Sequence, residues 1–129
     1  MKYLCTIYDD ETQWSDATPE QMAQVMAAYN AFGEEAGDVI QGGEGLQPTS
    51  SATTVRVRDG ERVLSDGPFA ETKEQLGGFY LLECDSLDQA IEWAAKIPGA
   101  ATGSVEVRPV MNYDAVSGEG ARQSAAAQS

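Results

Sequence analysis

Gly77-Gly78-Phe79-Tyr80-Leu81-Leu82-Glu83-Cys84-Asp85-Ser86-Leu87-Asp88-Gln89-Ala90-Ile91-Glu92-Trp93-Ala94-Ala95-Lys96-Ile97-Pro98-Gly99 carries a strand, a helix cap and a helix in immediate succession. Residues 78–84 form an apolar run of strand length. Ser86-Leu87-Asp88-Gln89 is a capping box: the Ser oxygen takes an orphan helix N–H, and the Gln three residues on reaches back. The helix it opens is expected to turn Leu87, Ile91, Ala94 and Ala95 inward and to stop at Ile97-Pro98-Gly99. Ser104-Val105-Glu106-Val107-Arg108 then alternates as a returning strand, closed by Pro109.

The same plan occurs earlier in the chain. Tyr3-Leu4-Cys5-Thr6-Ile7-Tyr8 reads as a strand that breaks at Asp9-Asp10-Glu11. Thr18-Pro19-Glu20-Gln21 is a second capping box, with proline at the first helical position. Its helix carries the stripe Met22, Val25, Met26, Tyr29, Phe32, which predicts all five in the core and an end near Gly37. Val39-Ile40 starts a strand that runs into Gly42-Gly43-Glu44-Gly45. That glycine spacing fits neither a dinucleotide-binding turn nor a P-loop, so it reads as a strand end or bulge where backbones pass closely. Between the halves, Thr53–Arg58 alternates, Asp59-Gly60 turns, and Arg62-Val63-Leu64-Ser65 returns. The order predicts an α+β fold: a ferredoxin-like split βαβ repeat with an inserted β-hairpin and both helices on one face of an antiparallel sheet. The first strand and the strand over 78–84 are apolar on both sides, so a second copy is expected on the open face, giving a homodimer.

Composition bounds the function. The chain has 129 residues, 42% of them apolar, which suits one folded domain rather than a disordered acidic protein. The domain is expected over 1–111, with residues 112–129 an Ala/Gly/Ser/Gln-rich disordered tail. With 21 acidic against 8 basic residues, the net charge of −13 argues against nucleic acid or an anionic membrane as partner. No histidine is present, which excludes Ser-His-Asp and Cys-His catalysis and any His-bearing metal site within the chain. Cys5 and Cys84 lie in apolar strands and read as buried free thiols. There is no signal-peptide pattern and no apolar run of membrane-spanning length, so a cytoplasmic protein is expected.

Chemistry is most plausible at Asp66-Gly67-Pro68-Phe69. Gly67 permits an unusual backbone shape and Pro68 fixes φ, so the turn either aims the Asp66 carboxylate into a pocket for acid–base work or bonds it to its own backbone as an Asx turn. Lys73, between Glu71 and Glu74, is either an anion anchor or part of a solvated loop, in which Thr72 and Gln75 repeat the cap spacing. Tyr8 and Glu44 are weaker candidates for the same cleft. Asp9-Asp10-Glu11 is a solvated charge run more readily than a cation site. Trp14 in the following loop marks a lid or a dimer contact, and Arg56, Arg58 and Arg62 form the only positive cluster. No metal site and no cofactor are expected.

The run Ser65-Asp66-Gly67-Pro68-Phe69-Ala70-Glu71-Thr72-Lys73-Glu74-Gln75-Leu76-Gly77-Gly78-Phe79-Tyr80 resembles the DGPF branch of the YCII-related family. The likeness extends to Met1-Lys2-Tyr3, Gly42–Leu46, Thr53–Arg56 and Val105–Pro109. It implies a dimeric α/β barrel, a small bacterial cytosolic protein and, for most relatives, no known function. From the turn itself, Gly67, Pro68, Phe69 and Lys73 are expected to border a ligand cleft beside Asp66. Some relatives are linked to extracytoplasmic-function sigma factors, which implies an accessory role as the alternative. A few members of the superfamily are enzymes, one a dehydrochlorinase, and others have been proposed to use a His–Asp pair. This chain has no histidine for that pair. The function expected is small-molecule binding near Asp66 with cofactor-free lyase or isomerase-type chemistry, or a non-catalytic interaction role.

Overall fold

Alternation in the first strand sets the layers. The computed structural model describes residues 1–113; of the tail expected over 112–129, residues 114–129 lie outside the described residues. Strand β1 (Lys2–Asp9) buries Tyr3, Cys5 and Ile7 on one face and leaves Leu4, Thr6 and Tyr8 half-buried on the other. It lies between β5 (Gln75–Glu83) and β6 (Ser104–Pro109), antiparallel to both, and β5 also pairs with β2 (Ile40–Gly45). The strand order β2-β5-β1-β6 is that of a ferredoxin-like split βαβ repeat. The inserted hairpin, β3 (Thr53–Arg58) and β4 (Glu61–Asp66), forms its own two-stranded sheet. Asp59 and Gly60 both have positive φ, 53° and 76°, as a two-residue hairpin turn with the twist of its strands requires. The architecture is α+β, with both long helices joined to one face of the antiparallel sheet through a shared core.

Helix α1 (Pro19–Ala36) starts on the full capping box, with Thr18 and Gln21 bonding reciprocally, and ends at Gly37 with φ 54°. Helix α2 (Leu87–Lys96) starts at Ser86, whose oxygen accepts from the Gln89 N–H. A short helix α3 (Gly99–Thr102) follows. The core joins Tyr3, Cys5, Ile7 and Leu82 of the sheet to Phe32 and Ala36 of α1 and to Ala90, Ala94 and Ile97 at α2. Phe32 centres an aromatic group, 5.2 Å from the Tyr80 ring and 6.3 Å from the Trp93 ring.

Both helices lie rolled relative to the sequence expectation. Met22 and Met26 are exposed, at 42% and 60%, because α1 meets the sheet through Phe32 and Ala36, with Tyr29 packed beside them. On α2, Ala94 is inward as expected, but Leu87, Ile91 and Ala95 are exposed. The contact is made by Ala94 together with Ala90, Trp93 and Ile97, the two alanines letting the helix sit close to the sheet. The glycines of β2 serve close approach: a Cβ on Gly43 would lie 2.6 Å from the Phe79 carbonyl oxygen. Cys5 and Cys84 are buried and unpaired. Burial, with Cys84 nearby, pushes the Cys5 thiol up to about 11, far from a nucleophile's range at neutral pH.

The rolled faces predict a contrast. Leu82→Ala, in a fully buried position, lowers the free energy of unfolding by about 2–5 kcal/mol. Met26→Ala changes it by less than about 0.5 kcal/mol. Urea denaturation of the two variants measures both, and a Met26 loss comparable to that of Leu82 would restore it to the core.

Candidate functional site

Beyond Ile7 the β1–β5 ladder slips. Ile7 faces Gly78 but Tyr8 faces Leu76, so β5 carries one extra residue at Gly77. Such a bulge bends its strand and re-aims side chains. Here it brings Tyr8 and Leu76 to the mouth of a cleft of about 430 Å³. One wall is the segment between β2 and β3, contributing Leu46, Gln47, Thr49 and Ala52. The other is the turn after β4, contributing Pro68, Phe69 and Ala70, with Thr72 and Gln75 behind it. The lining is apolar with five neutral hydrogen-bonding side chains, and among the described residues no Asp, Glu, Lys or Arg belongs to it.

The walls are tied together by the acidic run at the end of β1. Glu11 is half-buried, and its carboxylate accepts from the Thr49 backbone N–H at 3.1 Å and from the Thr49 hydroxyl. Its own N–H donates to Gln75 Oε1 at 3.0 Å, and Gln75 Nε2 donates to the Thr72 carbonyl at 2.6 Å. A continuous set of bonds, Thr49–Glu11–Gln75–Thr72, therefore runs along the cleft. Asp10 caps the 3-10 turn Glu11–Trp14, accepting from the Thr12 N–H and hydroxyl, and those bonds hold its carboxyl below the usual range. Asp9 accepts from the Thr102 hydroxyl at 2.8 Å and from Gln13. The three acids expected as a solvated run are thus structural ties. The sequence signal available was only the polar break after the strand, since Glu11 and Thr49 are 38 positions apart.

The candidate residues divide. Tyr8, Pro68 and Phe69 line the cleft; Asp66, Gly67, Lys73 and Glu44 do not. Asp66 is the last residue of β4, paired with Thr53 and exposed. Among the described residues its carboxylate takes no hydrogen bond. The turn is held by its backbone instead: the Gly67 N–H donates to Ala52 at 2.7 Å, and the Thr54 hydroxyl donates to the Gly67 carbonyl at 2.9 Å. Gly67 has φ 92°, a shape glycine takes readily. Lys73 is exposed and has no ion pair among the described residues, and Glu44 is exposed opposite Phe79. Thr72 and Gln75 close a turn but cap no helix; β5 begins at Gln75. Trp14 is half-buried in the turn beside Glu11. The Arg56 guanidinium lies 5.3 Å from the centre of the Phe69 ring, within cation–π range.

A second concavity, about 240 Å³, lies between α2 and β6. Ile91, Ala94, Ala95, Ala100, Val105 and Val107 line it, with no polar side chain to orient a ligand. No group of three or more Cys, Asp or Glu is placed to hold a metal among the described residues, and no helix there is long and apolar enough to cross a membrane.

The YCII-related domain matches residues 1–114. An uncharacterized protein of Rhizobium meliloti (strain 1021) is 42% identical over 118 residues, spanning 88% of this chain and 94% of the relative. Among solved structures, 5-chloro-2-hydroxyhydroquinone dehydrochlorinase (TftG) from Burkholderia phenoliruptrix AC1100, in complex with 2,5-dihydroxybenzoquinone, is 17% identical with a TM-score of 0.48, covering 87% of this chain and 95% of that one.

The tie through Glu11 predicts that Glu11→Ala, which strips two bonds from Thr49, costs about 1–3 kcal/mol in urea denaturation. Glu11→Gln keeps one acceptor oxygen and loses less. An alanine variant as stable as the parent would show that the wall stands without the carboxylate.

Proposed function

The chain belongs to the YCII-related family, and on that premise we propose that it is a cytoplasmic homodimer that binds a small molecule in the cleft at the end of β1. One observation carries the reading. A concavity of about 430 Å³ combines apolar walls with a few convergent neutral hydrogen-bonding groups, the usual make-up of a small-molecule site. Two free buried thiols suit a reducing compartment. The half-buried Leu4, Phe79 and Leu81 on the sheet face opposite the helices support a second copy there. Cofactor-free acid–base chemistry through Asp66, Tyr8 and Glu44, with Lys73 as anion anchor, is the finer reading. Binding is favoured over it because Tyr8 alone of the four lines the cleft.

A second reading, a non-catalytic interaction protein, rests on the hairpin. Val55, Val57 and Leu64 are 57%, 62% and 56% exposed, an apolar patch of the kind that marks protein contacts.

A fragment screen by amide chemical shifts separates the readings. Cleft binding is expected to shift Tyr8, Thr49 and Gln75, and Phe69→Ala is expected to weaken it about fivefold or more without changing the melting temperature. Asp66→Asn is expected to leave affinity within about twofold. Abolished binding in Asp66→Asn would instead make that acid part of the site, and shifts confined to the hairpin would favour the interaction protein. Light scattering is expected to give twice the monomer mass; a monomer at micromolar concentration would remove the dimer.

A further inference from the structure

Two charged side chains border the cleft without lining it, and each is already engaged. Both carboxylate oxygens of Glu11 accept from Thr49, one from its N–H and one from its hydroxyl. The Arg56 guanidinium sits against the Phe69 ring at 5.3 Å. Asp9, Glu71, Lys73 and Glu74 adjoin lining residues along the chain and Asp66 lies two before Pro68, yet none of the five lines the cleft; Asp9 and Glu74 accept from the Thr102 and Ser104 hydroxyls, and Asp66, Glu71 and Lys73 are exposed. What faces the cleft is Leu46, Pro68, Phe69 and Leu76 beside amides, hydroxyls and a phenol.

An ion moved into such surroundings gives up hydration and meets no counter-charge in the lining, whereas a neutral polar group exchanges its water bonds for those of Gln, Thr and Tyr. The chain's net charge of −13 further disfavours an anion at distance. Resting on the cleft reading above, we infer that this site selects an uncharged, largely apolar ligand with hydrogen-bonding groups, and that it discriminates against both anionic and cationic analogues. The apolar part of such a ligand packs against Phe69, Pro68 and the two leucines. Its polar end meets the amide and hydroxyl groups, which donate and accept and therefore read hydrogen bonds rather than charge.

Benzamide, benzoate and benzamidinium test this: they share a ring and a planar substituent and differ in charge at pH 7. Each is titrated into the full-length protein at 0.5 M NaCl, where long-range repulsion is screened to a few ångströms, with the Tyr8, Thr49 and Gln75 amides as readout. Benzamide is expected to bind at least about fivefold tighter than either ion. An ion binding with less than a fivefold disadvantage overturns the inference while leaving the cleft reading intact. If none of the three shifts the cleft amides, the cleft reading falls, and this inference with it.

Discussion

The two hydrogen bonds that Thr49 donates to the Glu11 carboxylate hold the candidate site together. The sheet and helices would keep their order without it, because β1 is held on both edges by β5 and β6. The segment between β2 and β3 carries only a three-residue 3-10 turn, Thr49–Ser51. A charged acceptor holding both a backbone N–H and a hydroxyl of one residue defines where that wall stands relative to Tyr8 and Gln75. The cleft is therefore a product of one strand end: β1 supplies Tyr8, its bulged partner supplies Leu76, and the residue just past it clamps the opposite wall.

Much of the frame was legible in the sequence. Thr18-x-x-Gln21 and Ser86-x-x-Gln89 fix helix starts by a local bonding requirement, and Pro19 and Gly37 sit where a helix begins and ends. Asp59-Gly60 fixes the hairpin by its backbone angles alone. The duplicated strand–cap–helix–strand pattern then leaves few topologies. These features are readable because each is decided within a few residues.

What was not legible is decided at long range. The stripe from Met22 to Phe32 spans enough of a helix to leave open which edge faces the sheet; the bulk of Phe32 against Tyr80 and Trp93 settles it and leaves the methionines outside. On α2 the inward residues are mostly alanines, which carry a weak hydrophobic signal but permit close packing. Asp66 opens a rigid turn, yet the hairpin ladder runs through it to Thr53 and leaves its carboxylate exposed. Glu11 is hidden among three acids because its partner lies beyond any local pattern. In the DGPF turn, the proline and phenylalanine are cleft wall.

A crystal structure of the protein soaked with benzamide at high concentration shows whether the end of β1 is a ligand site. Electron density is expected for the ring between Tyr8 and Phe69, with its amide within hydrogen-bond distance of Gln47, Thr49 or Gln75. An empty cleft, with density only in the α2–β6 groove or on the hairpin, would remove the site from this end of the strand.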